Sequence, residues 1–156
     1  MQTRYFLDTN IIIDLLVKSE NNIRKTQQNT VTKSKEFVLN LLENEKNICV
    51  ISANSLITTF FALTNKNRNL MGTTADLILD LYGNEEAFLI VKESKEANIK
   101  ALHYAKANNA DYEDALQYFC AKENGCTAIS TNDKDFPQLG IALIRTDPKQ
   151  ENYKPQ

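Results

Sequence analysis

Glycine and proline are scarce in this sequence of 156 residues, which has four glycines and three prolines. This is about a third of their usual share, and it disfavours a turn-rich β-sandwich or β-barrel. Histidine occurs once, at position 103, which excludes a zinc site built on several histidines. No apolar run approaches the roughly 20 residues of a membrane-spanning helix, so we expect no contact with a membrane.

Cysteine is also rare, and its three copies, Cys49, Cys120 and Cys126, cannot all pair and form no C-x-x-C motif. Because the N-terminus shows no signal-peptide pattern, we expect reduced thiols and a cytoplasmic protein. Charge of either sign is not in excess, since 18 basic and 20 acidic residues give a net charge of −2. Nucleic acid is therefore not attracted by a global field, and any contact with it needs a local basic patch.

Short apolar stretches alternate with helical patterns along the chain. The predicted strands are residues 5–7, 48–51, 87–91, 127–130 and 141–144. Apolar spacing predicts helices over 11–17, 34–46 and 94–107, and after Ser52, Gly72 and Asp111. This alternation predicts an α/β fold, a three-layer α/β/α domain with a central, mostly parallel sheet of four to five strands. The domain spans residues 1–146, and residues 147–156 form a polar tail.

Acidic and amide side chains follow the predicted strands. Asp8 ends the first strand, and the others surround the fourth strand: Asp111, Asp114, Asn132, Asp133 and Asp135. Ligands of open parallel sheets bind outside the carboxyl ends of the strands, so adjacency of strands one and four brings these residues together. Carboxylates that converge without basic partners repel one another, and a divalent cation relieves the repulsion. Oxygen ligands favour Mg²⁺ or Mn²⁺, which suits metal-dependent phosphodiester hydrolysis.

Four segments in order along the chain resemble the PIN domain family, the ribonuclease fold of VapC-like toxins and related PilT N-terminus proteins. They are YFLDTN at 5–10, ISANS at 51–55, DYEDALQ at 111–117 and STNDKDF at 130–136. The resemblance covers residues 4 to 146. It implies a Mg²⁺- or Mn²⁺-dependent endoribonuclease that cleaves RNA, often the toxin of a type II toxin–antitoxin pair held by a small antitoxin, and often a homodimer.

Residue by residue, the resemblance assigns the acids to a metal site. The first acid of the family corresponds to Asp8, and Asn10 beside it is a supporting residue. The expected catalytic residues are Asp8, Asp111 and Asp135, and the expected metal ligands are these three with Asp114 and Asn132. Asp133 is an alternative ligand, but its offset from the family pattern favours a side chain that faces solvent.

The second acid of the family closes the pattern S-x-x-[ST]-x-x-[ED], and in this sequence Thr58 occupies its position. A stripe of Leu56, Ile57, Phe60 and Phe61 is expected to face the core and to leave Thr58 as a supporting residue at the cleft. A hydroxyl cannot replace the charge of a carboxylate in holding Mg²⁺. Two interpretations stay open: a ribonuclease with a weakened site, or a PIN-fold module without catalysis that binds RNA or a protein partner.

Structural explanations exist for the same residues. Asp111 and Asp114 form a capping pair at a helix start, and Asp8 can accept hydrogen bonds from the amides of the helix that follows it. Residues 18–35 hold five basic residues and one glutamate. This segment is predicted to be a solvated loop or frayed helix, or else a patch that contacts RNA or a partner through Arg24, Lys25, Lys33 and Lys35.

Overall fold

Five parallel strands form the central sheet of the computed structural model, which describes residues 1–18 and 25–147. In chain order they are β1 (Thr3–Leu7), β2 (Asn47–Ser52), β3 (Phe88–Val91), β4 (Ala128–Ser130) and β5 (Ala142–Ile144). Their order across the sheet is β3-β2-β1-β4-β5, and each neighbouring pair is parallel. All five predicted strands are confirmed, and so is the parallel sheet. The predicted C-terminal tail lies almost wholly outside the described residues.

Six helices connect and cover the strands. They are α1 (Thr9–Leu16), α2 (Lys25–Leu42), α3 (Ala53–Thr64), α4 (Met71–Gly83), α5 (Lys95–Asn108) and α6 (Tyr112–Glu123), and a 3-10 turn (Arg68–Leu70) precedes α4. Ser52 caps α3, since its side chain accepts a hydrogen bond from the Ser55 amide. None of the described helices is long and apolar enough to cross a membrane.

The two faces of the sheet have separate cores, because successive side chains of a strand point to opposite faces. Leu7 of β1 and Ile51 of β2 pack with Ile11, Val38 and Leu56 from the helices α1, α2 and α3. On the other face, Phe6, Val50, Ile129 and Leu143 pack with Tyr118 of α6. The predicted three-layer α/β/α architecture is therefore confirmed.

Helix α2 begins at Lys25, well before the predicted start at residue 34, so over residues 25–33 the loop alternative is wrong and the helical alternative is right. Its first half is polar, which hides the helical pattern. Val31, Ser34 and Val38 are nevertheless buried at helical spacing and form a narrow stripe against the sheet. Tertiary packing of this stripe stabilises a helix that the local composition does not predict.

The apolar stripe predicted for α3 is wrong at two of its positions. Ile57 and Phe61 are 59% and 67% exposed, whereas Leu56 is buried. The buried face of α3 includes Ser55 and Thr59 instead, and the Thr59 hydroxyl donates to the Ser55 carbonyl at 2.7 Å. A hydroxyl that bonds within its own helix can be buried at little cost, so small polar residues face the sheet here.

The three cysteines are free and buried. Burial raises the pKa of each thiol, at Cys49, Cys120 and Cys126, to about 12. The expectation of unpaired thiols is confirmed.

Candidate active site

Strands β1 and β4 lie side by side, which is the condition under which the sequence brings the acids together. Leu7 pairs with Ser130, and the Asp8 amide donates to the Ser130 carbonyl at 3.0 Å. The residues that follow the two strands, Asp8 and Thr131, therefore leave the same edge of the sheet together. The start of α6 lies against this point, because Gln117 of that helix accepts a hydrogen bond from the Thr9 amide at 2.9 Å.

Asp8 is buried, with 2% of its surface exposed, and the Thr131 hydroxyl donates to its Oδ2 atom at 2.7 Å. The amides of Ile11 and Ile12 bond to the Asp8 backbone carbonyl and not to its side chain. The carboxylate does accept a hydrogen bond from the amide of Thr9, the first residue of α1, so the expectation that Asp8 accepts from the helix that follows it is confirmed for one amide. Burial raises the pKa of Asp8, and hydrogen bonds from Thr131 and Gln117 only partly oppose that rise.

Asp114, in the first turn of α6, lies among like charges. Burial raises the pKa of this carboxyl group to about 8, with further rises from the charges of Asp8 and Asp133, a hydrogen bond with Asp133, and the charge of Asp111. The raised pKa favours the protonated form of Asp114, which can share a hydrogen bond with Asp133. The structure brings Asp8, Asp111 and Asp114 together with Asp133.

Asp111 has a structural role in addition to its charge. It is the N-cap of α6, and its Oδ1 atom accepts a hydrogen bond from the Asp114 amide at 3.0 Å. The predicted capping interaction is confirmed for this residue. Because the cap uses Oδ1, the exposed Asp111 side chain keeps its second oxygen for other partners.

Asp133 lies beside Asp114, a position that the sequence pattern does not favour for it. The prediction that it faces solvent is wrong, since it bonds to Asp114 and raises the pKa of both Asp114 and Asp8. Its Oδ1 atom also accepts from the Asp135 amide at 2.9 Å, which forms a tight turn after β4. Asp135 is exposed at the end of this turn and lines the rim of the cleft.

Asn132 turns away from the acids. Its amide group donates to the Thr146 hydroxyl at 2.9 Å and accepts from the Thr146 amide at 3.1 Å. These two bonds tie the end of β4 to the end of β5. The side chain of Asn132 is therefore not part of the cluster of acids. The next residue, Asp133, supplies a carboxylate to that cluster instead.

A buried polar cluster on the other side of Asp8 was not predicted. Thr9 Oγ1 lies 2.9 Å from Ser55 Oγ of α3, 3.2 Å from Gln117 Oε1 and 3.2 Å from Glu113 Oε1. The cluster joins α1, α3 and α6 and places the Glu113 carboxylate against the first turn of α3. One signal in the sequence points to it: Gln117 lies one turn after Asp114 among the apolar residues of α6.

Asp111, Asp114 and Asp133 line a cleft of about 800 Å³, which we call the acid cleft, whereas Asp8 is buried and is not part of its lining. Its lining includes Tyr104, Asp111, Glu113, Asp114, Asp133 and Asp135. It lies at the carboxyl ends of the central strands, where ligands of parallel sheets bind. A buried acid of raised pKa beside further acids in a cleft is a feature of functional sites.

The family model of the PIN domain matches residues 5–142. The chain belongs to the PIN domain family. Ribonuclease VapC1 of Aquifex aeolicus is 27% identical over 146 residues, 92% of this chain and 91% of that protein. The crystal structure of VapC20 of Mycobacterium tuberculosis, described as a sarcin-ricin loop cleaving toxin, superposes with a TM-score of 0.59 at 15% identity, over 85% of this chain and 92% of that one. The fold of this PIN domain is thus supported along nearly its whole length.

The acids of this PIN domain have the donor chemistry for a hard divalent cation, since all of their ligating atoms are oxygens. Among residues 1–18 and 25–147, no three His, Cys, Asp or Glu side chains are drawn together as the ligands of one ion. Asp8, Asp111 and Asp133 nevertheless lie near enough to Asp114 for each of their charges to raise its pKa, so the donor set fits such an ion in its chemistry.

The predicted supporting residues differ in position. Asn10 is exposed and lines a groove with Asp133 next to the acid cleft. Thr58 is half-buried on α3 and lines neither the acid cleft nor this groove. Ser55, one turn earlier on α3, is the residue that contacts the cluster around Thr9.

The basic residues predicted to contact RNA have separate outcomes. Lys35 donates from Nζ to the Val17 carbonyl at 3.0 Å, which anchors α2 to α1. Lys33 lines a cleft and makes a 3.7 Å ion pair with Glu36. Arg24 and the side chain of Lys25 lie outside what the structure describes, so their contacts stay predictions.

Proposed function

We propose that this PIN domain is a divalent-metal-dependent endoribonuclease that hydrolyses RNA phosphodiesters. The observation behind the proposal is Asp114, whose pKa rises to about 8 because it is buried beside Asp8, Asp133 and Asp111. A fold that keeps carboxylates together against their repulsion favours a cation at that point. The name of the similar VapC1, a ribonuclease, agrees with this chemistry.

Asp8, Asp114 and Asp133, with the uncapped oxygen of Asp111, are the residues that would hold Mg²⁺ or Mn²⁺. When bound, such an ion activates water and neutralises the charge that develops on a phosphate. Asn132 and Asp135 are left out of this ligand set. The amide of Asn132 is engaged with Thr146, and Asp135 lies exposed at the cleft rim.

The protein residues around the acids fix their geometry. The Thr131 hydroxyl orients one oxygen of Asp8, and Gln117 bonds to the same carboxylate. The Asp111 cap holds the first turn of α6, and with it the backbone of Asp114. Orientation of ligands by such neighbours tunes metal sites in general.

Glu113 is proposed to supply the carboxylate that the family pattern has at the position of Thr58. Its Oε1 atom lies 3.2 Å from Thr9 Oγ1, which is 2.9 Å from Ser55 Oγ on α3. A carboxylate from α6 thus reaches the side of the site that faces α3. Threonine at position 58 therefore does not by itself leave this side of the site without a carboxylate.

The test combines a thermal shift with a cleavage assay. Mn²⁺ is expected to raise the Tm of the native protein, and Asp8→Asn to remove the shift, because binding to the folded state alone stabilises it. Single-stranded RNA should be cleaved with Mn²⁺ and left intact in EDTA. Asp80→Asn on α4 is the matched control, since Asp80 is exposed and far along the chain from the acids. The absence of both the shift and cleavage would favour the alternative of a PIN-fold module that binds RNA or a protein without catalysis.

The toxin role and the partners are further parts of this proposal. We propose that a small antitoxin, encoded by a short neighbouring reading frame, binds the protein and suppresses cleavage, as in a type II pair. Growth arrest on expression, relieved by Asp8→Asn or by co-expression of that frame, tests the role. A solution mass of twice 17.7 kDa tests the homodimer.

A further inference from the structure

A second cleft of opposite charge lies along the same edge of the sheet. This basic cleft, of about 580 Å³, is lined by Asn29, Thr30, Lys33, Lys134, Arg145 and Asp147, among others. Three cations face one carboxylate in this lining, although the whole chain has a net charge of −2. Positive charge is therefore concentrated here against the average of the molecule.

A groove joins the basic cleft to the acid cleft. It shares Asp133, Lys134 and Asp135 with the acid cleft, and Thr30, Asn132 and Lys134 with the basic cleft. The three form a series of adjoining depressions past the ends of β1, β4 and β5, with Lys134 in the lining of each. A flexible polyanion laid along it would meet the acids at one end and the cations at the other.

The position of Arg145 is set by the fold. Its Nη1 atom donates to the Asn132 carbonyl at 3.3 Å, and the amide of Asn132 is bonded on both sides to Thr146. Asn132 therefore connects the turn after β4 to the arginine after β5, and this is why its side chain bonds away from the acids. A guanidinium held in place loses less entropy when it binds an oxyanion.

Lys33 enters the cleft from α2. Its partner Glu36 lies at 3.7 Å, and the two side chains are 27% and 58% exposed. Such an exposed pair is weak and a stronger anion can displace it. Thr30, one turn before Lys33, adds a neutral hydroxyl to the same lining, and phosphate groups are bound by this mixture of charged and neutral donors.

We propose that the basic cleft binds a backbone phosphate of the RNA strand, at a nucleotide outside the bond that the acid cleft cleaves. The identity of the ligand rests on the proposed function, whereas the charge and shape of the cleft do not. Because the acids repel phosphate without a cation, the basic cleft supplies the affinity and the acid cleft the chemistry. The contact involves no base, so it strengthens binding of all sequences alike.

Binding of a labelled single-stranded RNA in EDTA, measured by fluorescence anisotropy over a series of salt concentrations, tests this. Lys33→Gln/Arg145→Gln should weaken binding and reduce the slope of log K against log salt by about 0.7 for each phosphate that the protein no longer neutralises. Lys95→Gln/Lys122→Gln removes the same charge from exposed positions outside the three depressions, and should keep the native slope. A double variant with native affinity and slope, or a control that weakens binding as much, overturns the proposal.

Arg145→Lys separates contact with phosphate from support of Asn132. It keeps the charge, so it should keep most of the affinity, and an equal Tm in all variants confirms the fold. If Arg145→Lys binds as weakly as the double variant, Arg145 acts through Asn132 and the phosphate contact is disproved. If the double variant loses RNA binding and the native protein cleaves no RNA in Mn²⁺, the phosphate contact is supported and the ribonuclease is refuted. If the native protein cleaves RNA and the double variant binds it with native affinity, this inference alone is refuted.

Discussion

Asp14 and Asp114 are both partly buried carboxyl groups along the same series of depressions, but their neighbours are opposite in kind. Burial raises the pKa of Asp14, but a 2.7 Å hydrogen bond from Ser34 and the charge of Lys35 both oppose that rise. Asp114 has Asp8, Asp133 and Asp111 around it, and each raises its pKa. Burial is common to both. The sign of the surrounding charge therefore separates a structural acid from one kept for chemistry.

The largest expected effect is on cleavage. Asp114→Asn removes a charge that only the proposed metal site needs, so kcat/KM for RNA with Mn²⁺ should fall by about 10³ or more. Asp76→Asn, on the exposed side of α4, should leave kcat/KM close to the native value. Cleavage at the native rate in Asp114→Asn would show that the acids serve the fold alone.

Metal affinity should depend on pH through Asp114. Its folded-state pKa of about 8 means that an ion must displace a proton at lower pH. The apparent association constant for Mn²⁺ should therefore rise about tenfold per pH unit below that value and then level off. Calorimetric titrations at several pH values measure this, and a pH-independent affinity contradicts it. In Asp114→Asn the remaining affinity should lose most of this dependence.

Truncation should affect the two acids in opposite directions. Asp14→Ala leaves the fully buried Ser34 hydroxyl without its 2.7 Å partner and should cost about 1–3 kcal/mol in the free energy of unfolding. Asp114→Ala removes repulsion and should leave the metal-free protein as stable as the native one, or more so. Urea unfolding of both variants in EDTA checks the contrast. Equal destabilisation would mean that Asp114 is a structural acid as well.

Stability without metal should fall as the pH rises. The pKa of Asp114 goes from 3.8 to about 8 on folding, so the native state holds a proton that the unfolded chain has released. The stabilisation is complete at low pH and is lost between pH about 4 and about 8, because the free energy of unfolding decreases wherever the native state binds more protons. The raised pKa of Asp8 acts with the same sign. Tm in EDTA should decline over this window and flatten in Asp114→Asn.

The smallest effect concerns Thr58. Thr58→Glu adds a carboxylate to α3 at a position that lines neither the acid cleft nor the groove, and Glu113 already lies on that side, so Mn²⁺ affinity and cleavage should rise by no more than a few-fold. Thr58→Gln is the control of equal size without charge. No change in either quantity would mean that position 58 is not the missing ligand.

The sequence predicts the sheet well because each strand is a short apolar run between helical segments, and β2 and β4 are almost wholly buried. The meeting of Asp8 with the segment after β4 follows from the adjacency of β1 and β4, which the sequence leaves as a condition and the observed strand order supplies. The sequence does not distinguish among Asn132, Asp133 and Asp135. A tight turn decides which of these neighbouring polar side chains points inward, and the bond from the Asp135 amide to Asp133 sets that turn.

The site residues that the sequence does not predict share one physical cause. Gln117 and Glu113 face inward because α6 begins at its Asp111 cap, and the phase of a helix is not fixed by composition. Arg145 and Lys33 become neighbours of one cleft only through the packing of α2 beside the end of β5. Polar contacts between distant elements leave little pattern in a single sequence, whereas apolar periodicity leaves a strong one.

The three buried cysteines have a practical consequence. With a pKa of about 12 for Cys49, Cys120 and Cys126, almost no thiolate exists near neutral pH, and each sulfur is shielded by the core. The native thiols should thus be inert to maleimide dyes and to mild oxidants while the chain stays folded. A single cysteine introduced on an exposed surface can then be labelled selectively. Fluorophores can be attached to this domain without first removing any native residue.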